Sequence, residues 1–469
     1  MDFSIIMQDP AVRAIVQENL LERAFHDALF PMQLFRSEAV PQPWGANTGD
    51  TQIFSAPGLI PPNMRPLQPG VDPTPTSYAV EQWTAQLQQY ADTIDTHMPT
   101  SMQAIIDLFL RNAHQLGMQS AQSLDRIVRN RMYNAAESGW TVADGAIGGG
   151  GSTSLTVMRL NGFTTARRPG LAGASQVRFE TVSATNPLVI NIVTTGGTVQ
   201  RNVVAYTPTT AGDQIGPGVL TLSASVADVA DRGAVYSSDR SNIVRIGGGL
   251  SVDSLNAADT LTLAGFRSAV SSFYSNNVPS HSDRRFHCQM DPTSASQVFD
   301  DPEFQRLNTS LPDYVMYREF ALGELLNIIF LRNSECPTPD KVVGGSTATF
   351  SLDDPFAPEL YNDGTDTGMV VHRALLTAQG GVFEYYSDLN ALITEAGVTG
   401  KVAEPRITNN GIEINSERIQ MVIRAPLNRL QDMVSTSWKF IGDWPVRTDA
   451  ATGGAARYKR FCTVMHGEG

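Results

Sequence analysis

Pro57-Gly-Leu-Ile-Pro-Pro-Asn-Met-Arg-Pro-Leu-Gln-Pro-Gly-Val-Asp-Pro-Thr-Pro-Thr76 places seven prolines in twenty residues, and Pro41 and Pro43 precede it. Proline has no N–H to donate and fixes φ near about −65°, so the span Val40 to Thr76 is predicted to be an extended excursion that neither pairs with itself nor buries itself. An ordered arm with little core of its own gains stability by lying on something else. In a chain without enzyme motifs, the simplest such surface is another copy of the same chain, which points to a subunit of an assembly.

Working outward, residues 50–56 and 77–92 read as two legs of a long hairpin, with Tyr78 and Val80 alternating with polar neighbours. At about 3.3 Å per residue the legs reach roughly 40 Å, the length of an arm rather than the width of a domain. Before them, Asp9-Pro10 reads as N-cap and first helical residue, and Val12, Ile15, Val16, Leu20, Phe25 and Leu29 then recur at helical spacing. After them, Pro99 to Ser138 carries Met102, Ile105, Ile106, Phe109, Leu116, Leu124, Ile127, Val128 and Met132 on one broad face. Unbroken, this spine helix is roughly 50–60 Å long, with Gly117 as the place where it could bend.

Two glycine clusters, Gly148 to Gly151 and Gly247 to Gly249, bracket about a hundred residues rich in Thr, Ser, Val and Gly. The predicted strands are Gln176–Val182, Leu188–Val193, Val203–Tyr206, Val219–Ala224, Ala234–Ser237 and Asn242–Ile246, with a turn at Gly196-Gly197. Residues 141–250 hold six acids and eight bases, a net of +2, which leaves −15 for the remainder of a chain whose total is −13. That shift supports an inserted all-β module able to fold independently. Beyond it, Asp259 to Tyr274 is helical by pattern, Phe286 to Met290 is a buried strand, and Asp291-Pro292 caps a short helix. Leu325 to Leu331, Gly368 to Tyr386 and Gly411 to Arg424 read as strands, and Ser435 to Val446 and Arg457 to Met465 return to β.

Composition excludes several classes. With 469 residues and 42% hydrophobic content the chain can bury real cores. A net charge of −13, with no basic tail, argues against tight phosphate binding. Only four of the 34 basic residues are lysine (Lys341, Lys401, Lys439, Lys459), and arginine favours planar, bidentate contacts suited to interfaces. Cys288, Cys336 and Cys462 are too few and too scattered for a disulfide framework or a zinc site, which implies synthesis in a reducing compartment. No signal peptide and no apolar run of membrane-spanning length are read from the chain.

No catalytic, metal or cofactor residues are predicted. Gly148 to Gly151 followed by Ser152-Thr153 lacks the lysine of a phosphate loop and reads as a flexible linker. His281, His287 and Cys288 cluster, yet neighbours on a strand face opposite sides, so a core strand with one buried thiol is preferred to a metal site. Asn362-Asp-Gly-Thr-Asp-Thr-Gly departs from calcium-loop spacing and reads as a turn, and Asp353-Asp354 reads as a solvated loop. Met64, Arg65, Tyr78 and Trp83 of the hairpin are the candidate subunit-contact residues, because Arg and aromatic side chains dominate interface energetics. Alternatively, Tyr78 and Trp83 pack on the spine helix of their own chain.

In the order of its parts the chain resembles the major capsid proteins of tailed bacteriophages, of the Hong Kong 97 type. The segment Phe286-His-Cys-Gln-Met-Asp-Pro-Thr-Ser-Ala-Ser-Gln-Val-Phe, its continuation from Phe304, and the closing Ser437-Trp-Lys-Phe-Ile-Gly-Asp-Trp-Pro-Val are similar to coat-protein segments. The resemblance implies an α+β fold: N-arm 1–45, E-loop hairpin 46–93, spine helix and peripheral domain 94–147, inserted all-β domain 148–249, axial α/β domain 250–425, and C-terminal strands 426–469 returning to the peripheral domain. It further implies a non-catalytic subunit, made in a bacterial host's cytoplasm, that forms pentamers and hexamers of an icosahedral shell around double-stranded DNA in the virion. Scaffolding, portal and cement proteins are possible partners. Some relatives weld the shell through an E-loop lysine; the first lysine here is Lys341, so that chemistry is not expected. The chain begins almost at the arm, so a separate scaffold, or scaffolding by the insert, is implied. The competing readings are another virion structural protein (decoration, portal-associated or tail component) and a carbohydrate-active or hydrolytic enzyme whose β insert binds substrate.

Overall fold

A computed structural model describes residues 34–45, 49–57, 63–64, 66–67, 69–73, 80–97, 105–169, 176–308, 324–337, 371–387, 406–408, 411–416, 419–424, 433–447 and 460–467. The expected N-terminal helix, the Asn362 turn and Asp353-Asp354 lie outside these residues. The chain divides into two compact units, one of residues 1–53, 84–129 and 382–445, the other of 54–83, 130–381 and 446–469. The spine helix is continuous from Ile105 to Ala136 and passes Gly117 without a break. Its buried stripe of Leu116, Leu124, Val128 and Met132 follows the expected periodicity. Among the described residues, no helix is long and apolar enough to cross a membrane.

The first unit is built on a seven-stranded sheet in the order Val40–Trp44, Phe383–Ser387, Met433–Asp443, Ile419–Arg424, Gly411–Ser416, Arg406–Thr408, with Gln88–His97 also paired to Met433–Asp443. That last ladder runs over ten residue pairs, from Met433 opposite His97 to Gly442 opposite Gln88. Gly442 is required there, because a Cβ would collide with the Tyr385 carbonyl and the Phe440 ring. Arg36 pins the entering chain: its N–H donates to Asp125 Oδ1 at 2.9 Å, and its Nε and Nη2 donate to Glu384 Oε1 at 3.1 and 2.6 Å. Its guanidinium lies 5.4 Å from the centre of the Phe440 ring.

In the second unit, six strands between Trp140 and Ser237 form an antiparallel barrel. The order is Trp140–Val142, Ala234–Ser237, Leu188–Thr194, Gly197–Pro208, Gly218–Val226, Ser152–Val157. The circle closes through the Ala143–Val157 bridge, with Met158 N donating to Val142 O at 3.1 Å and Asp144 N to Thr156 O at 2.9 Å. This contact covers part of the two end strands' free edges. Inside lie Leu155, Val157, Ile190, Ile192, Val203, Leu220, Val226 and Val235. The barrel therefore starts before the boundary expected at 148, and Asn242–Arg245 leaves it to pair with Phe461–His466. Gly148 to Gly151 is a hydrogen-bonded turn rather than a linker, with Gly151 N donating to Gly148 O at 3.0 Å. At the barrel's neck Gly162 has φ +80°, and a Cβ there would fall on Gly139 N and Ser138 Oγ. Gly162→Ala is expected to lower the urea unfolding free energy by at least about 2 kcal/mol, since φ strain and backbone overlap add.

The unit's second sheet runs Asn242–Arg245, Phe461–His466, His372–Thr377, Phe286–Met290, Ile328–Arg332, Glu324–Leu325. On one face Phe286, Cys288, Leu376 and Val464 pack with Phe266, Ala269 and Phe273 of the helix Leu263–Ser275 and with Val298 of Pro292–Asp300. Arg373, one residue out of step with Leu376 and Ala374, points to the other face. There it meets the end of the spine helix: Arg373 Nε lies 2.8 Å from Glu137 Oε1, Arg159 Nη1 lies 3.2 Å from Glu137 Oε2, and all three side chains are fully buried. Tyr133 Oη also donates to the Arg373 carbonyl, at 2.9 Å.

Several expected strands divide. Leu325–Leu331 is interrupted by a turn at Leu326 and Asn327, both at positive φ. Gly411–Arg424 is a hairpin, Gly411–Ser416 against Ile419–Arg424. Gly368–Tyr386 becomes His372–Thr377 and Phe383–Ser387, in different sheets. Strands between 383 and 424 share a sheet with Met433–Asp443, whereas the final strand Phe461–His466 joins the sheet of Phe286–Met290.

Candidate assembly surface

The arm's legs are Thr51–Pro57 and Val80–Gln86, as the alternation at 50–56 and 77–92 suggested, followed directly by Gln88–His97. Near its root, the Phe54 and Trp83 rings stack at 6.2 Å and the Arg447 guanidinium lies 5.5 Å from the Trp83 ring centre. Trp83 is half-buried between these two groups of its own chain. Of the four contact candidates, Met64 stands 86% exposed, and Arg65 and Tyr78 lie outside the described residues. Sequence reasoning missed Leu67 at 63% and Val71 at 56% exposure, which share the arm with Met64. Their signal was available: apolar residues at 64, 67 and 71, each set between prolines that keep the backbone extended. An apolar side chain held out on such a backbone gains nothing from its own chain and is available for burial by another surface.

Among the described residues, one cluster of hydroxyl, imidazole and carboxyl groups is buried in the second unit. Asp291 caps the helix Pro292–Asp300, accepting from Thr293 N at 3.1 Å and Ser294 N at 3.2 Å, as Asp291-Pro292 predicted. Ser294 Oγ also contacts the Asp291 carboxylate and lies 2.8 Å from His466 Nε2, while His372 Nδ1 is 2.9 Å from Asp291 Oδ2. This Ser/His/Asp set resembles a hydrolytic constellation in its residue types, yet all four side chains are buried and Ser294 and His466 are at 0% exposure. Burial opposes ionisation of Asp291, but hydrogen bonds from His372 and Ser294 outweigh it and bring the carboxyl to about 2. Burial pushes His466 down to about 4, a neutral imidazole that ties the last strand to a helix cap.

His281 and His287 lie face to face, ring centres 4.1 Å apart and planes within 4°. His287 Nε2 also lies 3.0 Å from Asp283 Oδ2. The three cysteines are buried free thiols, and Cys288 and Cys462 flank Leu376 across three neighbouring strands. Burial pushes the Cys462 thiol up to about 12 and Cys288 well above its ordinary value, which leaves both as unreactive core groups.

No family model matches the sequence, and no curated protein matches it. Solved structures similar to the chain include the capsid of cyanophage Pam1, at 10% identity and TM-score 0.48, covering 94% of this chain and 92% of that one. The capsid of Ralstonia phage GP4 is similar at 12% identity and TM-score 0.46, covering 93% and 92%. That of Helicobacter pylori bacteriophage KHP30 is similar at 8% identity and TM-score 0.47, also covering 93% and 92%.

Proposed function

We propose that the chain is a major capsid protein, a coat subunit of the Hong Kong 97 type, whose copies form pentamers and hexamers of a closed shell around double-stranded DNA, with no catalytic role. The observation that carries this reading is the arm: a proline-rich excursion between the strands Thr51–Pro57 and Val80–Gln86 that exposes Met64, Leu67 and Val71. Shells are built from many modest contacts, each weak enough for errors to dissolve, and multivalency turns them into a stable closed surface. The chain's charge of −13 suits the same role, because a wall that bound phosphate tightly would hold DNA in place during packaging. Scaffolding, portal and cement proteins are the partners such a subunit takes, and the virion is its location.

The test is sizing and negative-stain imaging of the purified chain, alone and with candidate scaffolds. Rings or closed shells are expected for the native sequence. Met64→Asp with Leu67→Asp abolishes them while leaving the unfolding free energy within about 0.5 kcal/mol, because both positions are exposed in the single subunit. A native chain that stays monomeric under every condition, or an arm variant that assembles normally, overturns the reading.

A further inference from the structure

The arm is not a free hairpin. Its leg Val80–Gln86 is extended by two strands of the insert, giving a four-stranded sheet in the order Thr51–Pro57, Val80–Gln86, Gln176–Thr181, Thr165–Pro169. The junction is a parallel pairing of two rungs, Val80 opposite Gln176 and Glu81 opposite Val177. Beyond it the insert's own hairpin is continuous over five pairs, from Pro169 opposite Val177 to Thr165 opposite Thr181.

The other end of that hairpin is rooted in the barrel. Phe163, Ala166 and Val182 belong to the barrel's core. Val182 N donates to Thr164 O at 2.9 Å, and the buried Asn186 amide donates to the carbonyls of Ala166, at 3.2 Å, and Glu180, at 3.3 Å, one on each strand. A two-stranded ribbon is marginal in water, whereas three or more strands hold one another. A short junction at one end and a core-anchored root at the other are the features of a strut.

We propose that the hairpin Thr165–Thr181 of the inserted barrel is a brace that fixes the direction of the arm by adding strands to its sheet. The insert then does more than stabilise the subunit: it presets the arm for the neighbour it meets. This deepens the coat reading, but the brace itself is measurable in a single subunit.

Two variants of the full chain test it. Val177→Pro places a residue without an N–H at the junction register, at the far end of the hairpin, and Glu81→Cys with Val177→Cys places thiols on directly opposed residues. By hydrogen exchange, Val177→Pro raises opening of residues 80–86 about tenfold or more and leaves Leu188–Thr194 of the barrel unchanged. The double-cysteine chain forms an intramolecular disulfide in high yield under mild oxidation, since the native thiols are all buried. Unchanged exchange at 80–86 together with no disulfide overturns the brace. Failure of the native chain to form shells overturns the coat reading and leaves both of these measurements standing.

Discussion

Glu137→Gln unfolds this protein's second unit under conditions where the native chain is fully folded. The carboxylate sits between two fully buried guanidiniums, with Oε1 toward Arg373 and Oε2 toward Arg159. The amide removes the negative charge that both buried guanidiniums contact. Removing one partner of a buried ion pair costs about 3–5 kcal/mol, and two cations share this partner, so the upper end is expected. Guanidinium denaturation followed by Trp140 fluorescence is the measurement, because Trp140 lies on the barrel's first strand. The triple variant Glu137→Leu, Arg159→Met, Arg373→Met recovers most of the loss, since an apolar set of similar volume has no desolvation cost. A Glu137→Gln chain with native stability would mean that the triad contributes nothing to holding the spine helix on the sheet.

Arg36→Ala has the corresponding effect on the first unit, a loss of about 3–5 kcal/mol. Glu384 is only 2% exposed and takes two hydrogen bonds from that one guanidinium; without it a buried carboxylate stands opposite an alanine. The loss includes the contact over the Phe440 ring, so Arg36→Lys, which keeps charge but not the fork, rescues only part of it. Trp44, Trp438 and Trp444 all belong to this unit, and their shared unfolding transition reports the change. A transition unmoved by Arg36→Ala would show that the segment entering Val40–Trp44 is held by its ladder with Phe383–Ser387 alone.

Much of the fold was legible because it is written in local periodicity. The 3.6-residue repeat of Leu116, Leu124, Val128 and Met132 marks the spine helix, and Asp291-Pro292 marks a helix start, since both signals depend on near neighbours only. Alternation located Leu188–Thr194 and Ala234–Ser237 within a residue or so. Ser152–Val157 was passed over because Ser-Thr-Ser-Leu-Thr-Val is half polar and follows four glycines; its partner strand Gly218–Val226 is what makes it β. The turn at Leu326-Asn327 was invisible for the opposite reason. Leucine at φ +54° has no local preference for that conformation, and the pairing of the flanking strands imposes it.

The candidate arm was legible to the same degree. Its proline pattern predicts an exposed excursion, and Met64 is exposed as the pattern requires. Trp83 could not be assigned from sequence, because the groups that cover it, Phe54 and Arg447, stand 29 residues before it and 364 after it.

The sequence by itself determined an α+β chain with a proline-rich excursion, one long helix and a β-rich stretch between two glycine clusters. Those features follow from backbone chemistry and short-range periodicity. Only the tertiary structure decided that the insert closes into a barrel, that its hairpin lends strands to the arm, that the last two long strands join different sheets, and that one glutamate holds two arginines. Each of these rests on pairings across tens to hundreds of residues, whose partners are chosen by burial and hydrogen-bond completion in the folded chain rather than by any local preference.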